Sequence, residues 1–329
     1  MKIIVIKFGG SSLADPGKIR RAAAMVLAAR RGGQSPVAVV SAPADSTDDL
    51  LKLAALSGGQ KIPARESDAL LAAGEQISAA LVAMAIEAEG GRAVSLTGFQ
   101  AGLRTDDKFS SAAVTSVDAA RMRRELKAGR IPVVAGFQGI SGKGDITTFG
   151  RGGSDLSAVV IAHALGASVC EFRTDVKGIY TAHPAIVPDA RKIKNISYAE
   201  VIALAELGTE VRQLRAVRYA ARHGLALHLR SSFHDEPGTL VTRDGGPEGI
   251  TCLSIEKSGP AARVALIGRG LAKTDLEAAL AAARAAGLSP EKALRTKGKI
   301  VLSVAAADGE NLLKILHRAF ISSKNSPRH

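Results

Sequence analysis

The sequence predicts an α/β protein, a three-layer αβα arrangement around a mainly parallel sheet, followed by a small α+β module. Three observations carry that expectation. Short apolar runs alternate with helical patterns along most of the chain, as βα units do. Glycine-rich polar clusters follow strands at 7–12 and stand at a helix start at 147–155, where ligands of such folds sit. After "GTLVTRDGGPEG" the texture changes, and that Gly/Pro/Asp stretch reads as a linker.

The elements follow in order. Ile3–Ile6 is a short apolar run that reads as a buried parallel strand. It runs into "KFGGSS", where Gly9 and Gly10 permit a tight turn and Ser11 and Ser12 can cap the next helix. "SPVAVVSA" (35–42) is a strand, and 69–91 a long helix closed by Gly90 and Gly91. Strands are expected at 92–98, 130–137 and 167–175, and helices at 117–129 and 154–166, the latter with Ser154 as N-cap. Two more helices precede the strand "LALHLRSS". Beyond the linker, three strands and two helices suggest the α+β module, and "ISSKNSPRH" reads as a disordered tail. The domain expectation is therefore 1–245, 246–322 and a tail at 323–329.

Composition narrows the function. The chain of 329 residues has 46% hydrophobic residues but only 3% aromatic ones and no Trp, so Ala, Val, Leu and Ile must build its core. The formal charge of +13 raises nucleic acid as a partner. However, the Lys and Arg residues are scattered, with no aromatic interleaving for base stacking, so no nucleic-acid partner is expected. No apolar run reaches the ~18 residues of a membrane span, and "MKIIVIKFGG" reads as a strand rather than a leader. Cys170 and Cys252 form no disulfide framework, which fits a reducing cytoplasm.

Three features point to chemistry. Lys7 with Gly9, Gly10 and Ser11 suits an anion site at a helix start, although an ordinary βα turn fits that stretch equally well. "TTFGRGGSD" is a second glycine loop entering a helix, with Arg151 placed to grip a carboxylate or phosphate. Glu75 lies in a helix that is apolar on nearly every side, where an ionised carboxylate is costly without a cationic partner.

The motifs "KFGGSS", "VVSAPADSTDDLL", "LLAAGEQIS", "VVAGFQGI", "TTFGRGGSDLSAV", "TDVKGIYTAHP" and "LRSSF" occur in this order. Together they make the chain resemble the aspartate kinases of the amino acid kinase superfamily, over about residues 1–243. The resemblance implies an amino acid kinase fold and phosphorylation of the side-chain carboxylate of L-aspartate by ATP with Mg2+. Lys7, Gly9, Gly10 and Ser11 would hold the phosphoryl groups, with Lys7 and Asp155 as the catalytic pair. Ser41 and Thr47 would line the aspartate cleft. Glu75 would bind the substrate ammonium and Arg151 its α-carboxylate. Thr174, Asp175 and Tyr180 would bind the nucleotide. Asp155 would cap and order the glycine loop or assist the metal site, and no other protein ligand for Mg2+ is implied.

Three positions depart from the family pattern. Gln76 replaces a frequent Arg after the glutamate. Ala185 stands where an Arg is usual, and Glu210 where a nucleotide-contacting Lys is expected. The C-terminal part resembles a single ACT-like (ferredoxin-like) module without the second one usually inserted in it. That implies a homodimer insensitive to lysine and threonine. A kinase for a related amino acid, or a weak pseudokinase that binds an amino acid, remains an alternative.

Overall fold

The computed structural model describes residues 1–59, 61–207 and 214–322. In chain order the elements begin with β1 (Ile3–Phe8), α1 (Pro16–Arg31), β2 (Ser35–Val40), α2 (Ser46–Gly58) and α3 (Ala64–Ala88). Then come β3 (Ala93–Leu96), β4 (Leu103–Thr105), β5 (Val114–Val117), α4 (Ala120–Lys127), β6 (Ile131–Ala135), β7 (Gln138–Ile140) and β8 (Ile146–Thr148). α5 (Gly153–Leu165) and β9 (Cys170–Thr174) follow. The chain continues through β10 (Asn195–Ser197), α6 (Tyr198–Ala205), α7 (Leu214–His223), β11 (Leu227–Ser231) and β12 (Thr239–Thr242). It ends with β13 (Gly249–Ser258), β14 (Ala261–Arg269), α8 (Lys273–Ala285), β15 (Lys292–Thr296), β16 (Lys299–Ala305) and α9 (Gly309–His317).

Two compact units result. The first holds 1–177 and 218–236, and the second 178–217 and the chain from 237. This division follows a different cut from 1–245 and 246–322, because residues 178–217 cluster with the later chain. Leu253 N–H donates to the Thr181 carbonyl at 2.8 Å, and the Thr181 hydroxyl bonds the buried His317 ring at 2.9 Å.

Within the first unit the sheet order is β11-β9-β1-β2-β6-β3, and its pairings are parallel. β1 is buried along its whole length, as a central parallel strand must be. Its alternate residues Ile4, Ile6 and Phe8 join a core with α1 and α3. α1 buries Ile19, Ala22, Ala23, Val26 and Leu27, one stripe at helical spacing. α3 is long and apolar enough to cross a membrane by length and composition, contrary to the run-length reading. Yet its inner face carries buried Asp68 and Glu75 and packs into this core, so it is a core helix. α5 packs on β1, β2 and β9.

The expected helix starts shift by a few residues. Asp15, not Ser11 or Ser12, caps α1, its Oδ1 accepting the Lys18 N–H at 2.8 Å. Gly152, in the left-handed region at φ 65°, is the N-cap of α5, and Ser154 is buried in the first turn instead. Glycine's freedom at positive φ lets the helix begin two residues early.

In the second unit, β13-β14-β16-β15 form a four-stranded antiparallel sheet. Its apolar face shares a core with α8 and α9. The order matches a ferredoxin-like sheet whose last strand is supplied from the front by β13. The sequence suggested three strands here. β15 escaped because all five of its residues are exposed, so no apolar alternation marks it. The tail at 323–329 lies outside the described residues.

Candidate active site

Lys7 is the second last residue of β1, on the side of the sheet opposite Ile6 and Phe8. Its Nζ lies 2.7 Å from Asp155 Oδ1, and both side chains are buried. A buried pair of this kind holds each charge at a fixed point. The Gly9 N–H donates to the Arg173 carbonyl at 3.2 Å, and the chain then turns through a short 3-10 helix, Gly10–Leu13. A Cβ on Gly10 would stand 2.8 Å from the Ala42 carbonyl, so only glycine lets this loop close against the one after β2. Ser11 is half-buried, whereas Ser12 is buried and its hydroxyl lies 2.7 Å from that of Ser232.

The loop after β2 forms the facing wall. Ser41 N–H donates to the Phe8 carbonyl, and Ser41 stays half-buried. Thr47 is exposed in the first turn of α2. Ala42 N–H donates to Glu75 Oε1 at 3.1 Å. The second oxygen, Glu75 Oε2, is buried without a hydrogen-bond partner. Burial pushes the Glu75 carboxyl up to about 7, while the Ala42 and Glu75 N–H groups and the Lys7 charge pull it down. No Arg meets Glu75 among the described residues; the nearby cation is Lys7.

The second glycine loop follows β8. Gly150 (φ 72°) and Gly152 (φ 65°) both take the left-handed region. Arg151 between them is exposed, with no ion-pair partner among the described residues. Thr174 is buried at the end of β9, its Oγ1 accepting the Val176 N–H at 3.2 Å. Asp175 is exposed. Tyr180 belongs to the second unit, bridged to Lys192. The structure thus brings Lys7, Gly9, Gly10, Asp155, Ser41 and Glu75 together through named contacts. Ala185 is exposed and its N–H reaches His183 Nδ1 at 3.3 Å, while Glu210 lies outside the described residues.

Sequence reasoning missed Asp68. It lies seven residues before Glu75 and therefore on the same face of α3. It is fully buried and accepts bonds from Ser110 and Thr148. A second acid at that spacing in an apolar helix was the available signal. Among the described residues no group of three or more His, Cys, Asp or Glu is placed to hold a metal ion.

Comparison with known proteins shows the family. A model of the amino acid kinase family matches residues 2–231. The Mycobacterium tuberculosis aspartokinase is 46% identical over 276 residues, 82% of this chain and 64% of that protein. The Mycolicibacterium smegmatis aspartokinase is 50% identical over 242 residues, 73% of this chain and 57% of that protein. The chain thus spans about three-fifths of the length of these relatives. The structure of an aspartate kinase from Synechocystis superposes with a TM-score of 0.66 at 28% identity, covering 97% of this chain and 69% of that one. The E. coli aspartokinase III in complex with aspartate and ADP gives a TM-score of 0.80 at 22% identity, covering 97% of this chain and 99% of that one, a likeness of fold.

Proposed function

We propose that this chain, which belongs to the amino acid kinase family, transfers the γ-phosphoryl group of ATP to the side-chain carboxylate of L-aspartate. The single observation that carries this is the pairing of buried Lys7 with Asp155 beside Glu75, whose Oε2 is buried and unpartnered. One group is a fixed cation for phosphoryl oxygens; the other is a carboxylate that lacks a donor such as a substrate ammonium. The identity to aspartokinases supports the same reading.

In the reaction a carboxylate oxygen of aspartate bonds to the γ-phosphorus as the bond to the β-γ bridging oxygen breaks, giving 4-phospho-L-aspartate and ADP. No covalent enzyme intermediate is required, so the protein works by positioning and charge neutralisation. Lys7 faces the charge on the transferring oxygens, and Asp155 keeps its ammonium in place. Backbone N–H groups of the 9–12 turn add donors. Glu75 takes the substrate ammonium, Arg151 its α-carboxylate, and Ser41 and Thr47 line the cleft. Thr174 and Asp175 hold the nucleotide. Mg2+ bound with ATP would neutralise phosphate charge, and Asp155, the carboxylate paired to Lys7, would assist in holding it. With Ala185 in place of a cation, MgATP binds more weakly than in relatives.

The test is an assay of ADP release with acyl phosphate trapped by hydroxylamine, across a panel of acidic amino acids. Aspartate-dependent product is expected, and Arg151→Ala raises the aspartate KM by about 100-fold, the loss of one charge-assisted bidentate contact. No aspartyl product overturns the proposal; product with another amino acid reassigns the substrate. We further propose a cytoplasmic homodimer insensitive to feedback, with the four-stranded module pairing two copies. Inhibition by millimolar lysine or threonine, or a monomeric mass in solution, overturns that part.

A further inference from the structure

We propose that Asp68 is a positioning residue that fixes the Arg151 loop for the substrate's α-carboxylate, an inference that rests on the functional reading above. Asp68 is fully buried on α3, yet it serves four donors on two other segments. Its Oδ2 accepts the Ser110 N–H at 2.8 Å and the Thr148 N–H at 2.7 Å. Its Oδ1 accepts the Ser110 hydroxyl at 3.2 Å and the Thr148 hydroxyl at 2.8 Å.

Both segments bear on Arg151. Thr148 is three residues before it, at the end of β8. Ser110 sits at φ 63°, a conformation a serine holds only when its surroundings impose it. The Ser110 carbonyl lies where a Cβ on Gly150 would come within 2.8 Å, so the turn before Arg151 is seated on Ser110. The Ala112 N–H bonds the Thr148 carbonyl at 2.9 Å and closes the clamp. Arg151 itself is exposed, so its direction is set by this backbone and not by contacts of its own among the described residues.

α3 also carries Glu75, two turns on and on the same face, about 10 Å along the axis. One rigid helix therefore fixes both groups assigned to the amino acid, Glu75 directly and Arg151 through Asp68. That arrangement makes the helix a gauge for the distance between the substrate's ammonium and carboxylate sites.

The experiment is a double-mutant cycle on the full chain, with Asp68→Asn and Arg151→Ala, reading KM for aspartate, KM for MgATP and kcat. The amide introduced by Asp68→Asn sets its own N–H donors against the donors of the clamp. Asp68→Asn is expected to raise the aspartate KM by about 10-fold, leaving kcat within about 3-fold and the MgATP KM within about 2-fold. In the Arg151→Ala background the same substitution is expected to change the aspartate KM by less than about 2-fold. Multiplying effects overturn the proposal, as does an equal rise in both KM values. If Asp68→Asn does not fold, Ser110→Ala and Thr148→Val each remove one hydroxyl donor and are expected to raise the aspartate KM by about 3-fold, only when Arg151 is present. No change in either overturns the inference. If Arg151→Ala itself leaves the aspartate KM unaltered, the functional reading fails and this inference with it. If Arg151→Ala raises KM and Asp68→Asn does not, only the inference fails.

Discussion

Two regions of the first unit each bury a glutamate to the same extent, and the two carboxylates have opposite fates. Glu75 on α3 and Glu171 on β9 are both 5% exposed. Glu171 Oε1 meets Arg173 Nε at 2.6 Å, and its Oε2 lies 3.5 Å from both His228 Nδ1 and Arg230 Nη1. Burial raises the Glu171 carboxyl, but the His228 hydrogen bond and the Arg173 and Arg230 charges outweigh it and hold it at about 2. Glu75 has only backbone N–H donors and one oxygen with no partner, so burial dominates and carries it to about 7. A carboxylate whose lone pairs are matched by its own fold belongs to the fold. One left short of a donor in a cleft retains an unmet demand that a ligand can satisfy.

The comparison breaks first on stability. Glu171→Ala strips the counter-charge from buried Arg173, leaving its Nη1 on the neutral Ser231 carbonyl. The expected cost is about 3–5 kcal/mol, the penalty for breaking a buried pair from one side. Urea unfolding measures it, and kinetics of the folded fraction should be unchanged. A variant of wild-type stability would show that the cluster around Glu171 is not structural.

A smaller effect, in binding, sharpens the other half. Glu75→Gln retains size and an acceptor for the Ala42 N–H but loses the charge. The aspartate KM should rise about 100-fold, or about 2.7 kcal/mol, while stability at pH 8 does not fall. Unchanged KM would remove Glu75 from the substrate site.

The difference between these glutamates was half legible in the sequence. Glu75 stands out because its helix is apolar around it, so local pattern alone exposes the cost. Glu171 does not, because beyond Arg173, two residues on, its partners lie far along the chain, 59 residues away for Arg230, and only strand pairing of β9 with β11 brings them to it. The sheet and both glycine loops were readable because each is local: an apolar strand, then glycines, then a helix. Asp68 was missed for the reason Glu171 was. Its donors are 42 and 80 residues distant. The cap of α5 was misplaced because the positive φ of Gly152 is a backbone property that the serine two residues on does not report.

The smallest expected effect is in pH dependence, where the two glutamates must have opposite signs. The ordinary value is 4.5 for both. Glu75 is raised, so its folded form binds a proton more tightly than the unfolded chain. Its contribution to stability is complete below about 4.5 and is lost as pH rises through about 7, about 3 kcal/mol in all. Glu171 is lowered, so its contribution is complete above about 4.5 and is lost as pH falls through about 2. The same proton on Glu75 competes with substrate. Below pH 7 the free enzyme holds a neutral carboxyl that attracts an ammonium poorly, so kcat/KM for aspartate should fall about tenfold per pH unit there. Above pH 7 it should level off. In Glu75→Gln the profile should lose this limb and stay flat at the lowered value, and Glu171→Gln should leave the limb in place. A limb that survives in Glu75→Gln would assign the titration to another group and leave Glu75 a buried acid without a functional proton.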